Sequence, residues 1–191
     1  METRLSLTVT FLEQLRPEKP AKPQPLPYCL KDTVTLQCWQ PDITAYRALY
    51  SQVGKPYLWW ERLVLSDQEL TAILSDPATE FYQLLDNGVR IGFCEITMNS
   101  APATCNIAYF GFIPSYEQRG LGGKLMRQML AHIWHSETKP ARVTVNTCTL
   151  DHPKALGFYQ HLGFATINQE EMTILDPREM LESYSNQENP L

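Results

Sequence analysis

Apolar and polar residues alternate near the start of the chain, with Leu5, Leu7, Val9 and Phe11 on one side. That period of two predicts a first strand. The alternation returns over residues 33–39 and predicts a second. Between them five prolines, at 17, 20, 23, 25 and 27, impose an extended loop. Pro41 and Asp42 open a helix through about Gln52, and Gly54, Lys55 and Pro56 break it. Residues 57–65 read as helical. So does the stretch from Ser66, where Glu69 completes a capping box. Residues 81–85 and 89–97 flank Asp86-Asn87-Gly88, and Asn-Gly is the strongest short hairpin signal. A third antiparallel strand follows over residues 105–113.

Beyond it the apolar period changes from two to 3.6. Leu125, Met126, Met129, Leu130, Ile133 and Trp134 share one helix face, with Lys124, Arg127, Gln128, His132 and His135 away from it. Residues 142–149 form a β-branched strand. A helix then starts near Pro153 and stops at Gly163, and residues 164–175 hold one or two closing strands. Strand, helix and strand in succession imply a right-handed crossover and a parallel pair. The class is α+β: a mixed, mostly antiparallel sheet with a central parallel pair, flanked by helices. Residues 1–175 are expected to form a single domain and 176–191 a polar tail frayed at its end. Strand order changes character beside Gly120, a place that favours a ligand at the strands' carboxyl ends.

Composition narrows the partners. A length of 191 residues suits one domain, and 43% hydrophobic content allows a sizeable core. The net charge of −5 gives no sign of a nucleic-acid partner, which usually shows as a basic patch. No apolar run approaches the roughly 20 residues that cross a bilayer, and the N-terminal segment does not read as a signal peptide. The cysteines (29, 38, 94, 105 and 148) are odd in number and form no C-x-x-C. That fits reduced thiols in a cytoplasm, with no metal site expected.

The chemistry gathers at the junction of the third antiparallel strand and the following helix. Gly120, Gly122 and Gly123 there would let a phosphate sit against bare N–H groups at the positive end of a helix. The nucleoside-triphosphate motif G-x-x-x-x-G-K-S/T fails, because Gln118 takes the first glycine's place and Leu125 that of the hydroxyl. The dinucleotide motif G-x-G-x-x-G fails at Leu125. A glycine turn with no ligand stays open.

Glu117-Gln118-Arg119-Gly120-Leu121-Gly122 resembles the Q/R-x-x-G-x-G/A motif of the GNAT superfamily of N-acetyltransferases, with Glu117 as the departure. Ala155, Phe158, Tyr159, Gly163 and Phe164 match the family's closing helix, A-x-x-L/F-Y-x-x-x-G-F, with His152 where Asn is frequent. The resemblance covers about residues 81–164, the acyl-CoA-binding core. More narrowly, residues 57–60 and 147–153 are similar to a group of bacterial single-domain GNAT proteins.

The resemblance implies acetyl-CoA between two splayed parallel strands, here ending at Ile113 and Thr149, with Gly111 as the bulge that opens them. Backbone groups of Phe112 and Ile113 would pair with the pantetheine arm. Amides of Gln118, Arg119, Gly120, Leu121, Gly122 and Gly123 would hold the pyrophosphate, with Glu117 facing solvent. Tyr159 is the candidate acid for the departing thiolate, or a core tyrosine. Glu95 is the candidate base, its strand placing it beside Ile91 and Phe93, or else a strand-end glutamate in solvent or in a salt bridge. Some family members carry a base where Asn106 stands. Tyr57, Trp59 and Trp60 would wall the acceptor, or else pack in the core. Cys148 has no basic neighbour in sequence to make it a nucleophile. The implied activity is acetyl transfer to a primary amine, on a small molecule, by direct attack in a ternary complex. A homodimer is compatible with it. A non-catalytic acyl-CoA-binding module, a protein or peptide amine acyltransferase and a larger-acyl transferase stay open as alternatives.

Overall fold

A computed structural model describes residues 3–31 and 33–188, with side chains as far as residue 184. The strands are β1 (Arg4–Leu15), β2 (Tyr28–Lys31), β3 (Val34–Trp39), β4 (Thr79–Asp86), β5 (Val89–Ser100), β6 (Ala103–Phe112), β7 (Arg142–Cys148) and β8 (Ala165–Leu175). The helices are α1 (Ile43–Gly54), α2 (Asp67–Leu74), α3 (Leu121–His135), α4 (Ala155–His161) and α5 (Arg178–Glu188). The strands form one eight-stranded sheet in the order β2-β3-β4-β5-β6-β7-β1-β8. Among the described residues β6 and β7 are parallel and the other neighbours antiparallel. The α+β expectation therefore holds.

Local chemistry explains most element ends. Asp42 accepts the Ala45 N–H at 2.7 Å and caps α1. Ser66 and Glu69 exchange bonds across the start of α2, completing the capping box. Asn87 and Gly88 both have positive φ, the geometry a two-residue hairpin turn requires. The apolar stripe of α3 covers one sheet face, where Leu125, Met126 and Met129 are fully buried against β-strand residues such as Ile96, Ile107 and Val143. The other face carries α1 and α2, with Tyr46, Tyr50, Val53 and Leu70 packed on Phe81 and Phe93.

Four local expectations fail, each because a long-range contact overrides local pattern. Residues 57–65 are turns and not a helix. A short 3-10 turn over Lys55–Tyr57 ends at Leu58 in the left-handed region, and Trp59 folds back over Gly54, its N–H bonding the Gly54 carbonyl at 3.1 Å. Gln128 is buried, donating to the Gln24 carbonyl at 3.0 Å and so clamping the proline-rich strap onto α3. Part of the segment read as a frayed tail is α5, whose Leu181 enters the core beneath α1 and α2; residues 189–191 lie outside the described residues. Strand β2 is too short to show alternation.

The fourth correction positions the site. Glu95 pairs with Tyr109 and Ile96 with Ile107, so the extra residue in β6 is Ala108, and Gly111 is not the bulge. Gly111 is glycine because a Cβ there would lie 2.5 Å from Cγ1 of Val53, where α1 crosses the sheet. Parallel pairing of β6 with β7 runs from Thr104↔Arg142 to Ile107↔Val145 and stops at the bulge. Both strands continue beyond it, and a gap opens between them.

Candidate active site

A cavity of about 880 Å³ occupies that gap and extends from the start of α3 to the segment after α1. Its size is that of a small-molecule or cofactor site. The Ile113 N–H bonds the Ile91 carbonyl at 2.9 Å, and the Ile113 carbonyl accepts from Tyr116 at 2.9 Å. The Ile113 N–H is thus taken by β5 and Ile113 does not line the cavity, so the structure does not bring it together with the other expected cofactor contacts. Successive peptide groups of a strand face opposite edges, so those of Phe112 and Phe110 turn toward the gap.

The glycine turn opens onto the same cavity. Gly120, at φ +74°, ends the turn in the left-handed region, and no side chain caps α3. The first amides of a helix have no intrahelical acceptor, so this N-terminus presents free N–H donors and a positive dipole end. A Cβ on Gly122 would make ordinary van der Waals contact with the Phe158 ring at 3.5 Å, without a clash. The fold's own packing does not require glycine at that position. Gln118, Arg119, Gly120, Leu121, Gly122 and Gly123 all line the cavity, although the Leu121 side chain is buried in the core. Arg119 lies over the Tyr116 ring at 4.2 Å, and the Tyr116 hydroxyl donates to Asp86 at 2.7 Å. Glu117 departs from its expected solvent position, because it accepts a hydrogen bond from the Tyr57 hydroxyl.

Tyr159 is 7% exposed, and its ring meets Phe158 and Phe164 edge-on. It lines the cavity, and its hydroxyl has no hydrogen-bond partner among the described residues. Burial, then the charge of Asp151 and the neighbouring Cys94, push its phenol above the ordinary value. Burial and then Asp151 likewise raise the Cys148 thiol, which disfavours a thiolate nucleophile. His152 accepts the Lys154 N–H on Nδ1 at 3.0 Å and starts the turn into α4.

Glu95 is 0% exposed and does not line the cavity. One oxygen accepts from Arg62 at 2.6 Å and the other from the Tyr46 hydroxyl at 2.5 Å. Arg62 in turn lines the cavity and lies over the Tyr109 ring at 5.0 Å. Glu95 therefore stands behind Arg62, outside the lining that includes Tyr159.

Tyr57, Trp59 and Trp60 do line the cavity. Trp59 is also packed in the core: its ring lies 5.1 Å from Tyr109 and 5.6 Å from Tyr50, and Nε1 donates to Asp151 at 3.1 Å. Sequence reasoning gave no role to Glu61, Arg62 or Asp151. Asp151 lies within the 147–153 segment singled out above, but no motif marks Glu61 or Arg62, and the helical pattern of 57–65 hid the turn that brings them to the cavity. Among the described residues no His, Cys, Asp and Glu group could hold a metal ion, and no helix is long and apolar enough to cross a membrane.

The profile of the Acetyltransferase (GNAT) family matches residues 43–164. No curated protein matches the chain. Among solved structures, a functionally unknown conserved protein from Staphylococcus epidermidis superposes with a TM-score of 0.63 at 13% identity, over 91% of this chain and 63% of its own. A GCN5-related N-acetyltransferase from Sphaerobacter thermophilus gives 0.59 at 14%, over 91% and 51%. A dodecameric spermidine N-acetyltransferase from Vibrio cholerae gives 0.55 at 15%, over 79% and 98%. The chain thus spans 63% or less of the first two neighbours' lengths.

Proposed function

This chain belongs to the GNAT acetyltransferase family, and from that membership we propose that it moves an acetyl group from acetyl-CoA to a primary amine on a small molecule, by direct attack in a ternary complex. The observation that carries this is the joining of three features in one cavity: the strand gap, the uncapped start of α3, and the unpartnered Tyr159 hydroxyl. Likeness to a spermidine N-acetyltransferase at 15% identity carries the fold and no acceptor.

The residues present fit coenzyme A. Amides of residues 120–123 offer donors to a pyrophosphate, and Gly122 leaves room for it. Peptide groups of Phe110 and Phe112 offer a strand edge to an extended arm, and one N–H can hold the thioester oxygen. Acetyl-CoA would supply the activated acyl group. Tyr159 would donate a hydrogen bond to the sulfur and give up its proton as the thiolate leaves. The burial that raises the phenol also raises a thiol at the same place, so the two stay close enough for transfer. Glu95 serves here as the anchor of Arg62 and not as the base.

Tyr159→Phe tests this. The variant should release thiol from acetyl-CoA about 10²-fold more slowly with an amine panel, the usual size of an acid's contribution. Calorimetric acetyl-CoA affinity should not change. A wild type that does not bind acetyl-CoA, or a variant with full turnover, would refute the proposal.

A further inference from the structure

Glu61 is a carboxylate with no task so far. It lines the cavity with Tyr57, Trp60 and Tyr159. One of its oxygens, Oε2, accepts from the Tyr50 hydroxyl at 3.1 Å and from the Trp60 N–H at 3.2 Å. Both bonds fall on that atom, so Oε1 is left open at an exposed residue. Tyr50 packs edge-on against Tyr109 of β6 at 5.0 Å, which ties Glu61 to the gap. Its charge also reaches both strands. Burial first, and Glu61 second, push the Tyr109 hydroxyl up to about 12. At Cys148 on β7, burial and Asp151 act first and Glu61 adds a smaller rise.

Two of the other carboxylates near the cavity have both oxygens engaged. Asp151 accepts from Trp59 on one oxygen and from Thr147 and Cys148 on the other. Glu95 is bound by Arg62 and Tyr46. Glu117 holds Tyr57 at the glycine turn, the end of the cavity suited to an anion. Glu61 stands instead beside Tyr50 and Trp60, and the aromatic residues that line this cavity favour a cation.

On the premise that this cavity takes acetyl-CoA and an amine, we propose that Glu61 holds the acceptor's ammonium group and receives its proton. An alkylammonium with a pKa near 10 is only about one part in a thousand free amine at pH 7, so a proton acceptor is needed. One proton passes from nitrogen to Oε1 of Glu61. The freed lone pair forms the C–N bond to the acyl carbon, and the C–S bond breaks with its electron pair going to sulfur. The sulfur takes the Tyr159 proton, and the nitrogen's second proton restores Tyr159 through water. Glu61 then releases its proton to solvent, so that ammonium and thioester yield amide, thiol and one proton.

Glu61→Gln tests the assignment, because glutamine keeps an oxygen for Tyr50 and Trp60 and so preserves the fold; a thermal melt checks this. Acetyl-CoA affinity should not change. With the protein saturated in coenzyme A, n-butylammonium and 1,4-diaminobutane should bind about tenfold more weakly to the variant, the loss of one charge-assisted contact. Turnover of either amine at pH 7 should fall about 100-fold, and the gap should narrow by about tenfold per pH unit as free amine accumulates. A variant with wild-type cation affinity and pH profile would overturn the proposal. So would a coenzyme-A-loaded wild type that binds neither cation. A wild type that ignores acetyl-CoA overturns the underlying activity as well, and is told apart because no loaded complex forms.

Discussion

Replacing Glu95 by Gln separates a clamp from a base. The change keeps the volume and the Tyr46 bond but removes the charge facing Arg62. The Glu95 side chain is 0% exposed and that of Arg62 19%. Removing one partner of a buried pair costs about 3–5 kcal/mol, because the other charge stays buried and uncompensated. Two features place this pair at the low end. Arg62 reaches the cavity, so water can hydrate part of the guanidinium. It also keeps the Tyr109 ring, a contact worth about 0.5–1 kcal/mol. A third feature keeps the cost from vanishing: Nε of Arg62 already lacks an acceptor among the described residues. The expected loss is about 3 kcal/mol, or about 6–12 °C in Tm for a chain of this length. Urea unfolding of Glu95→Gln, Arg62→Met and the double variant measures it. The double variant should be less destabilised than the sum of the singles by about 2 kcal/mol, since it removes both charges. Below its melting range, Glu95→Gln should keep turnover within about tenfold of wild type, less than a general base contributes. Additive energies, or an unaltered stability with a far larger loss of turnover, would refute the clamp and return Glu95 to the role of base.

Gly122→Ala should act in opposite directions on fold and ligand. Alanine suits a helix better by about 0.5–1 kcal/mol and meets no clash, yet its methyl would stand where a pyrophosphate approaches. Thermal melting should rise slightly while calorimetric acetyl-CoA affinity falls by about tenfold or more, the effect of one displaced charge-assisted bond; unchanged affinity would move the anion elsewhere. His132, whose Nε2 lies 3.0 Å from the Gln24 carbonyl, carries a pH signature. Burial, more than any other influence, holds it below the ordinary histidine value. The unfolded chain therefore takes up the proton first on acidification. The stability contributed by the neutral ring is complete above about pH 6.5 and drains away as pH falls through the folded value. His132→Gln should flatten the urea midpoint between pH 7 and 5, and an equal pH dependence in both proteins would exclude the effect.

Periodicity and local chemistry determined the hairpin at Asn87-Gly88, the Ser66 cap, the α3 stripe and the parallel crossover. The first three depend on residues within a few positions of one another, or a few turns of helix, and the crossover follows from the succession of strand, helix and strand. The glycine turn and the Tyr159 helix were legible for the same reason, since a strand, a turn and a helix write their chemistry into adjacent residues. The tertiary structure alone decided where those elements part and what faces the opening. Ala108 is the bulge because of its register against β5, and Gly111 is small because Val53 crosses it. Residues 57–65 leave the helical pattern where Leu58 turns left-handed and Trp59 packs on Tyr50 and Tyr109. Arg62 and Glu95, 33 residues apart, and Tyr57 and Glu117, 60 apart, meet only across the folded sheet. Alternation along β5 placed Glu95 among apolar neighbours but carried no information about the cation that would reach it. Glu61 became visible only through the turn that aims it into the cavity, because which side chain faces a cleft is set by contacts between distant segments.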